Sequence, residues 1–294
     1  MASLGSGAVI ASCSDHPEGC LIDVGNEVVI HVRTVGRGQP VLMIPSLGRG
    51  VDDFNDVAEL LSAEGYMSIL PAPRGIGGSR GPAPTDLFDL ARDNAAVLAK
   101  LCQGPVAVVG HAFGNRVARA LASLDPLAVR ALALLAGGGR TTLDPAIRAA
   151  LMGSVSEGLK PDEERLEDLR TAFFFPGNDA RQWLRGWHPR LAEAQLAASE
   201  RTATARWWTA GRAPVLLVQA EGDPIAPIAN AHALGAEIGT RLTLVTLKRA
   251  SHAILPEQPK AVAAVLAGFF SGDTASASLQ RLSDSLIIQD SATH

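Results

Sequence analysis

The 294-residue chain carries 26 Lys and Arg against 30 Asp and Glu, a net charge of −4, with 47% hydrophobic and 19% charged residues. This balance supplies apolar material for a large core and no basic field to draw nucleic acid or an anionic membrane. No run approaches the roughly 18 apolar residues that span a bilayer. The N-terminus lacks a basic stretch leading into a long apolar one, so neither secretion nor a membrane anchor is expected. Cys13 and Cys20 lie close enough in sequence to bridge a short loop, but an odd total of three cysteines favours reduced thiols. The expectation is a cytoplasmic monomer or homodimer without nucleic-acid or membrane partners.

After a leader over 1–20, Leu21–Gly25 and Glu27–Val35 read as two strands joined by a turn at Gly25-Asn26. Val41–Leu47 is a short continuous apolar run, the pattern of a strand buried on both faces. Asp52–Gly65 follows as an amphipathic helix with Asp52 or Asp53 as N-cap, then the strand Met67–Leu70 and a Gly/Pro-rich loop over 71–84. Leu87–Leu101 has helical periodicity. Val106–Gly110 is another buried strand, running directly into a helix over 112–124, and Val129–Leu135 is the next. Beyond residue 213 the alternation resumes with the strand Pro214–Gln219, a helix near 228–238, the strand Leu242–Leu247 and a helix near 260–270. Strands alternating with helices predict an α/β fold, a mostly parallel central sheet flanked by helices.

Residues 140–212 break that alternation. They hold seven of the chain's thirteen aromatic residues, among them Trp183 and Trp187, and read as a helical cap inserted between two strands. The core domain is then 21–139 with 213–271. Residues 272–294 form a Ser/Asp/Ala-rich tail expected to be flexible, in which Leu286–Ile288 offers an apolar segment that could dock.

In such sheets, function collects beyond the carboxyl ends of the strands. Four junctions there carry usable groups. In Gly110-His111-Ala112-Phe113-Gly114, two glycines flank a turn too tight for side chains, which lifts the central residue into the cleft. That residue is Ala112, whose methyl cannot act as a nucleophile. Gly77-Gly78-Ser79-Arg80-Gly81 matches G-x-S-x-G literally, but prolines rather than a helix follow it, so Ser79 reads as a loop residue. Asp223, after the strand Pro214–Gln219, can orient an imidazole. His252, after Leu242–Leu247, is placed to meet it. The loop Pro45–Gly50 brings backbone N–H groups near Ala112, so the amides of Leu47 and Phe113 are the expected oxyanion donors. Ser46 is the nearest alternative hydroxyl.

Taken together in chain order, these junctions resemble the α/β-hydrolase superfamily of the helical-cap type over about 21–271. The run Arg74-Gly75-Ile76-Gly77-Gly78-Ser79 is similar to that family's R-G-x-G-x-S loop. The resemblance implies an α/β-hydrolase fold with nucleophile, acid and histidine at Ala112, Asp223 and His252. The chain departs from the pattern twice: Pro45-Ser46 replaces the usual His-Gly, and alanine replaces the nucleophile, either as an engineered inactivation or as the mark of a natural subgroup without the serine.

The implied activity is hydrolysis of an ester, lactone or activated carbonyl bond in a small hydrophobic substrate. Ser46, His111, Trp183 and Trp187 are the substrate-binding candidates, although the place of His111 within the turn directs it away from the cleft. Two alternatives stand beside this reading. One is a His–Asp general-base enzyme without a covalent nucleophile, whether hydrolase, lyase or cofactor-free oxygenase. The other is a non-catalytic small-molecule receptor. The histidines show no metal-ligand spacing, and no cofactor is expected.

Overall fold

The computed structural model describes residue 13, residues 18–272 and the backbone of 286–289. Nine strands form one sheet in the order β1-β2-β4-β3-β5-β6-β7-β8-β9: β1 Cys20–Gly25, β2 Val28–Gly36, β3 Gln39–Ile44, β4 Tyr66–Pro71, β5 Val106–His111, β6 Val129–Leu135, β7 Val215–Ala220, β8 Leu242–Leu247 and β9 Leu286–Gln289. The six from β4 to β8 run parallel to one another. β1 and β2 add an antiparallel hairpin at one edge, and β9 pairs antiparallel with β8 at the other. The flexible-tail expectation thus fails at 286–289, where the apolar segment pairs as a strand. The rest of the proposed tail and most of the leader lie outside the described residues.

The continuous apolar strands are explained by helices on both faces. Successive side chains of a strand point to opposite sides, and Leu42, Ile44 and Val108 enter one core while Val41, Met43 and Val109 enter the other. The first core is closed by α2 Leu87–Leu101, α3 Phe113–Leu124 and α7 Ala229–Ile238. The second is closed by α1 Asn55–Ala63, the short α8 Ile254–Glu257 and α9 Pro259–Ser271. Neither Asp52 nor Asp53 caps α1. A 3-10 turn over Val51–Phe54 precedes that helix, and the two carboxylates instead pair with Arg33 and Arg49.

Between β6 and β7 the chain leaves the sheet for α4 Pro145–Val155, α5 Asp162–Ala172, α6 Pro189–Glu200 and two 3-10 turns. This insertion packs over the carboxyl ends of the parallel strands. The reduced-thiol expectation fails at one pair: Cys13 and Cys20 are disulfide-bonded, with Cα atoms 5.2 Å apart. Cys102 is free, and burial pushes its thiol up to about 11. Among the described residues, no helix is long and apolar enough to cross a membrane.

Candidate active site

The turn between β5 and α3 has the geometry its glycines require. A Cβ on Gly110 would come 2.4 Å from the carbonyl oxygen of Gly114, and one on Gly114 would come 2.2 Å from that of Ile44. Neither position accepts a side chain. Between them Ala112 sits at φ 50°, ψ −112°, a positive-φ conformation costing a non-glycine residue about 1–3 kcal/mol. The surroundings hold it there: its N–H donates to the Leu135 carbonyl at 2.9 Å, and its own carbonyl accepts from the Asn115 amide at 3.1 Å. The methyl lines a cavity of about 290 Å³ between sheet and insertion.

His252 lines the same cavity. Its Nδ1 lies 2.8 Å and 3.0 Å from the two carboxylate oxygens of Asp223, and both residues are buried. Asp223 is itself fixed, one oxygen accepting from the backbone N–H groups of Ile225 and Ala226 at 2.9 and 2.8 Å. A carboxylate so held selects the Nδ1–H tautomer and would stabilise the imidazolium. It leaves Nε2, on the opposite side of the ring, without a partner among the described residues. The two loops are tied together as well. Ser251 Oγ donates to the Gly222 carbonyl at 2.9 Å, and the Gly222 amide donates to the Ala250 carbonyl at 3.1 Å.

Ser46, Leu47 and Phe113 also border the cavity. The N–H groups of Leu47 and Phe113 donate no hydrogen bond among the described residues; that of Phe113 opens α3 and has no intrahelical partner. Two free amides beside a histidine can receive the charge that develops on a carbonyl oxygen. The loop bearing Leu47 is held by the insertion, since the Gly48 amide donates to Gln195 Oε1 and its carbonyl accepts from the His188 amide, each at 2.8 Å.

Three expected substrate-binding residues lie elsewhere. His111 is fully buried behind the cavity, with Nε2 2.9 Å from the His252 carbonyl. Burial lowers its imidazole to about 3, so it is neutral and donates that bond. Trp183 and Trp187 are not walls of the cavity. They stack edge to face on each other, and the Arg49 guanidinium lies against both, 4.6 and 4.7 Å from the ring centroids, while Arg49 pairs with Asp53. A four-residue spacing puts two side chains on one face only in a helix, and the chain there is a 3-10 turn followed by irregular structure, so both rings enter the core. The aromatic walls are instead Phe173 and Trp207. Both stood out only as members of the aromatic-rich segment. Gln195 and Glu257, which hold the loops in place, carried no sequence signal because their partners are remote in the chain.

Ser79 is a loop residue, as its context indicated. Its hydroxyl donates to the Ala72 carbonyl and accepts from the His31 amide, each at 2.8 Å. Arg74 grips Asp93 through two bonds of 2.7 Å, so the R-G-x-G-x-S run anchors a loop. Among the described residues no cluster of side chains could hold a metal ion.

Residues 41–265 match the model of the Alpha/beta hydrolase family. Over 117 residues the chain is 31% identical to RutD of Azorhizobium caulinodans, a name attached to carbamate hydrolysis. That match takes in 40% of this chain and 44% of RutD, less than half of the relative's length. Solved structures with the same fold include an esterase from Exiguobacterium antarcticum, 18% identical at a TM-score of 0.71, covering 86% of this chain and 99% of its own. A bromoperoxidase from Bacillus anthracis is 17% identical at 0.70, with coverages of 86% and 99%. A thermophilic esterase from Thermogutta terrifontis is 20% identical at 0.68, with coverages of 84% and 94%.

Proposed function

The chain belongs to the alpha/beta hydrolase family, and from that premise we propose that it hydrolyses a carbonyl bond by general-base activation of water. His252 takes the proton of a water standing above the Ala112 methyl. Asp223 stabilises the imidazolium that forms, and the amides of Leu47 and Phe113 receive the oxyanion. The imidazolium then returns its proton to the leaving group. The observation that carries this reading is the His252 ring, gripped at Nδ1 by both oxygens of Asp223 and open at Nε2 on a cavity with two free amides. A binding pocket without chemistry has no use for that arrangement. The substrates that fit are small esters, lactones, thioesters or comparably activated carbonyl compounds, with Phe173 and Trp207 against the apolar part. The carbamate chemistry in the name of the partial relative belongs to the same class of carbonyl attack.

One feature supports a second route at the same site. The positive-φ turn at Ala112 gives alanine no benefit, yet it would aim a hydroxyl into the cavity. With serine there, the reaction becomes acyl transfer through a covalent intermediate, with His252 as base.

The test is aryl-ester and thioester hydrolysis by the chain as it stands, by His252→Gln and by Ala112→Ser. The water route predicts measurable turnover by the unaltered chain that falls about 10²–10⁴-fold in His252→Gln, the range a general base contributes. Turnover appearing only in Ala112→Ser supports the covalent route for the serine form and removes the water route. A silent series in all three leaves the site as a receptor.

A further inference from the structure

The cavity has a charge that the hydrolytic reading does not use. Arg116, on the first turns of α3, is half-buried in the cavity wall, and among the described residues no carboxylate lies within ion-pair distance of it. The bond recorded for its guanidinium is a 2.7 Å donation to the Ser199 hydroxyl, which borders the same cavity. The guanidinium lies 5.9 Å from the Trp207 ring centroid. One turn further along, Arg119 is fully buried, and its Nε and one terminal nitrogen have no hydrogen-bond partner. It rests 4.6 Å over the Trp208 ring and reaches a carbonyl at 3.5 Å. Two guanidinium groups on one helix face thus enter a low-dielectric region without a counter-ion. Buried charges are ordinarily paired, because an unpaired one is costly. The other charged groups lining the cavity, Arg148 and Glu200, are exposed.

We propose that this cavity takes a substrate carrying a carboxylate at one end, and that Arg116 is the residue that reads it. The inference rests on the hydrolytic reading for which end of the ligand is the reacting one. Arg116 is four residues beyond Ala112, about 5.4 Å along the helix axis per turn. A carboxylate on Arg116 therefore leaves the reacting carbonyl a few bonds away, beside His252. The planar guanidinium can bind the carboxylate through two parallel hydrogen bonds, Ser199 can donate a third, and Trp207 covers the intervening apolar chain. The site selects half-esters of dicarboxylic acids, and related molecules, over neutral esters of the same length.

The experiment compares monomethyl with dimethyl succinate, glutarate and adipate by calorimetric titration of the unaltered chain, with methanol release followed in the same samples. At least one monoester is expected to bind about tenfold or more tightly than its diester, the scale of one charge-assisted contact. Arg116→Met should erase the difference by weakening the monoester more than the diester, and Arg116→Lys should keep part of it. A series in which no monoester outbinds its diester overturns the proposal, as does a preference that survives in Arg116→Met. The two readings separate cleanly: charge preference without methanol release defeats hydrolysis and keeps the subsite, whereas release without preference does the reverse.

Discussion

His111, the last residue of β5, and Ala112, which follows it, bear different costs. Ala112 holds a backbone conformation that only glycine adopts freely. Ala112→Gly is therefore expected to raise the unfolding free energy by about 1 kcal/mol, the relief of a left-handed residue less the extra chain entropy of glycine; urea denaturation measures it. His111 is costly to protonate, because burial lowers its imidazole from 6.5 to about 3. Its folded value lies below its unfolded value, so between these limits the unfolded chain binds more protons. The neutral imidazole thus contributes stability that is complete above pH 6.5 and is lost as pH falls toward 3. Between pH 7 and 4.5 the unaltered chain should lose roughly 3 kcal/mol more than His111→Gln, which keeps a donor for the His252 carbonyl. Equal pH slopes would show that His111 does not titrate in this way. Both residues were visible in the sequence as parts of the turn. The role of His111 was not, because its partner is the backbone of residue 252.

At the scale of elements, the site is a product of strand ends and the turns that leave them. The β5–α3 turn was legible because its glycines sit between a buried strand and a helix, a pattern that only close backbone approach demands. Gly114→Ala makes that demand measurable. The added methyl would meet two backbone oxygens, of Ile44 and Pro45, at 2.2 and 2.6 Å, and neither can swing away as a side chain could. A loss of at least about 3 kcal/mol, or failure to recover folded protein, is expected from such overpacking; thermal unfolding within a degree of the unaltered chain would refute it. The start of α1 was not legible. Asp52 and Asp53 have the composition of helix caps, yet each has a stronger claim from an arginine, Asp52 from Arg33 nineteen residues back and Asp53 from Arg49 four residues back. The pair Trp183 and Trp187 went astray for a different reason, since four-residue spacing marks one face only if the segment is helical.

Over the whole molecule, the loops that border the cavity are held in place by the insertion as much as by the sheet, and one carboxylate concentrates that coupling. Glu257, in α8, accepts from the backbone amides of Ser251 and Phe175 at 2.6 Å each and from the Asn178 side chain at 2.7 Å. Ser251 precedes His252, whereas Phe175 and Asn178 belong to the insertion. The Ala253 amide adds a direct bond of 2.8 Å to the Phe173 carbonyl, on a residue that is also a wall of the cavity. Burial raises the Glu257 carboxyl, against the three donors that favour its charged form. Glu257→Ala leaves those donors facing one another without an acceptor, so a loss of about 1–3 kcal/mol is expected, the cost of donors left unpaired away from water. Glu257→Gln keeps the shape and one acceptor oxygen, and should lose less than half as much. Because the donors straddle the two parts of the chain, the expected signature extends beyond lower stability. Amide exchange should quicken together at residues 251–253 and 173–178 in Glu257→Ala, with β5 and β6 unchanged. Exchange that rises in only one of the two segments would mean that they open independently and that the His252 loop does not depend on the insertion for its position.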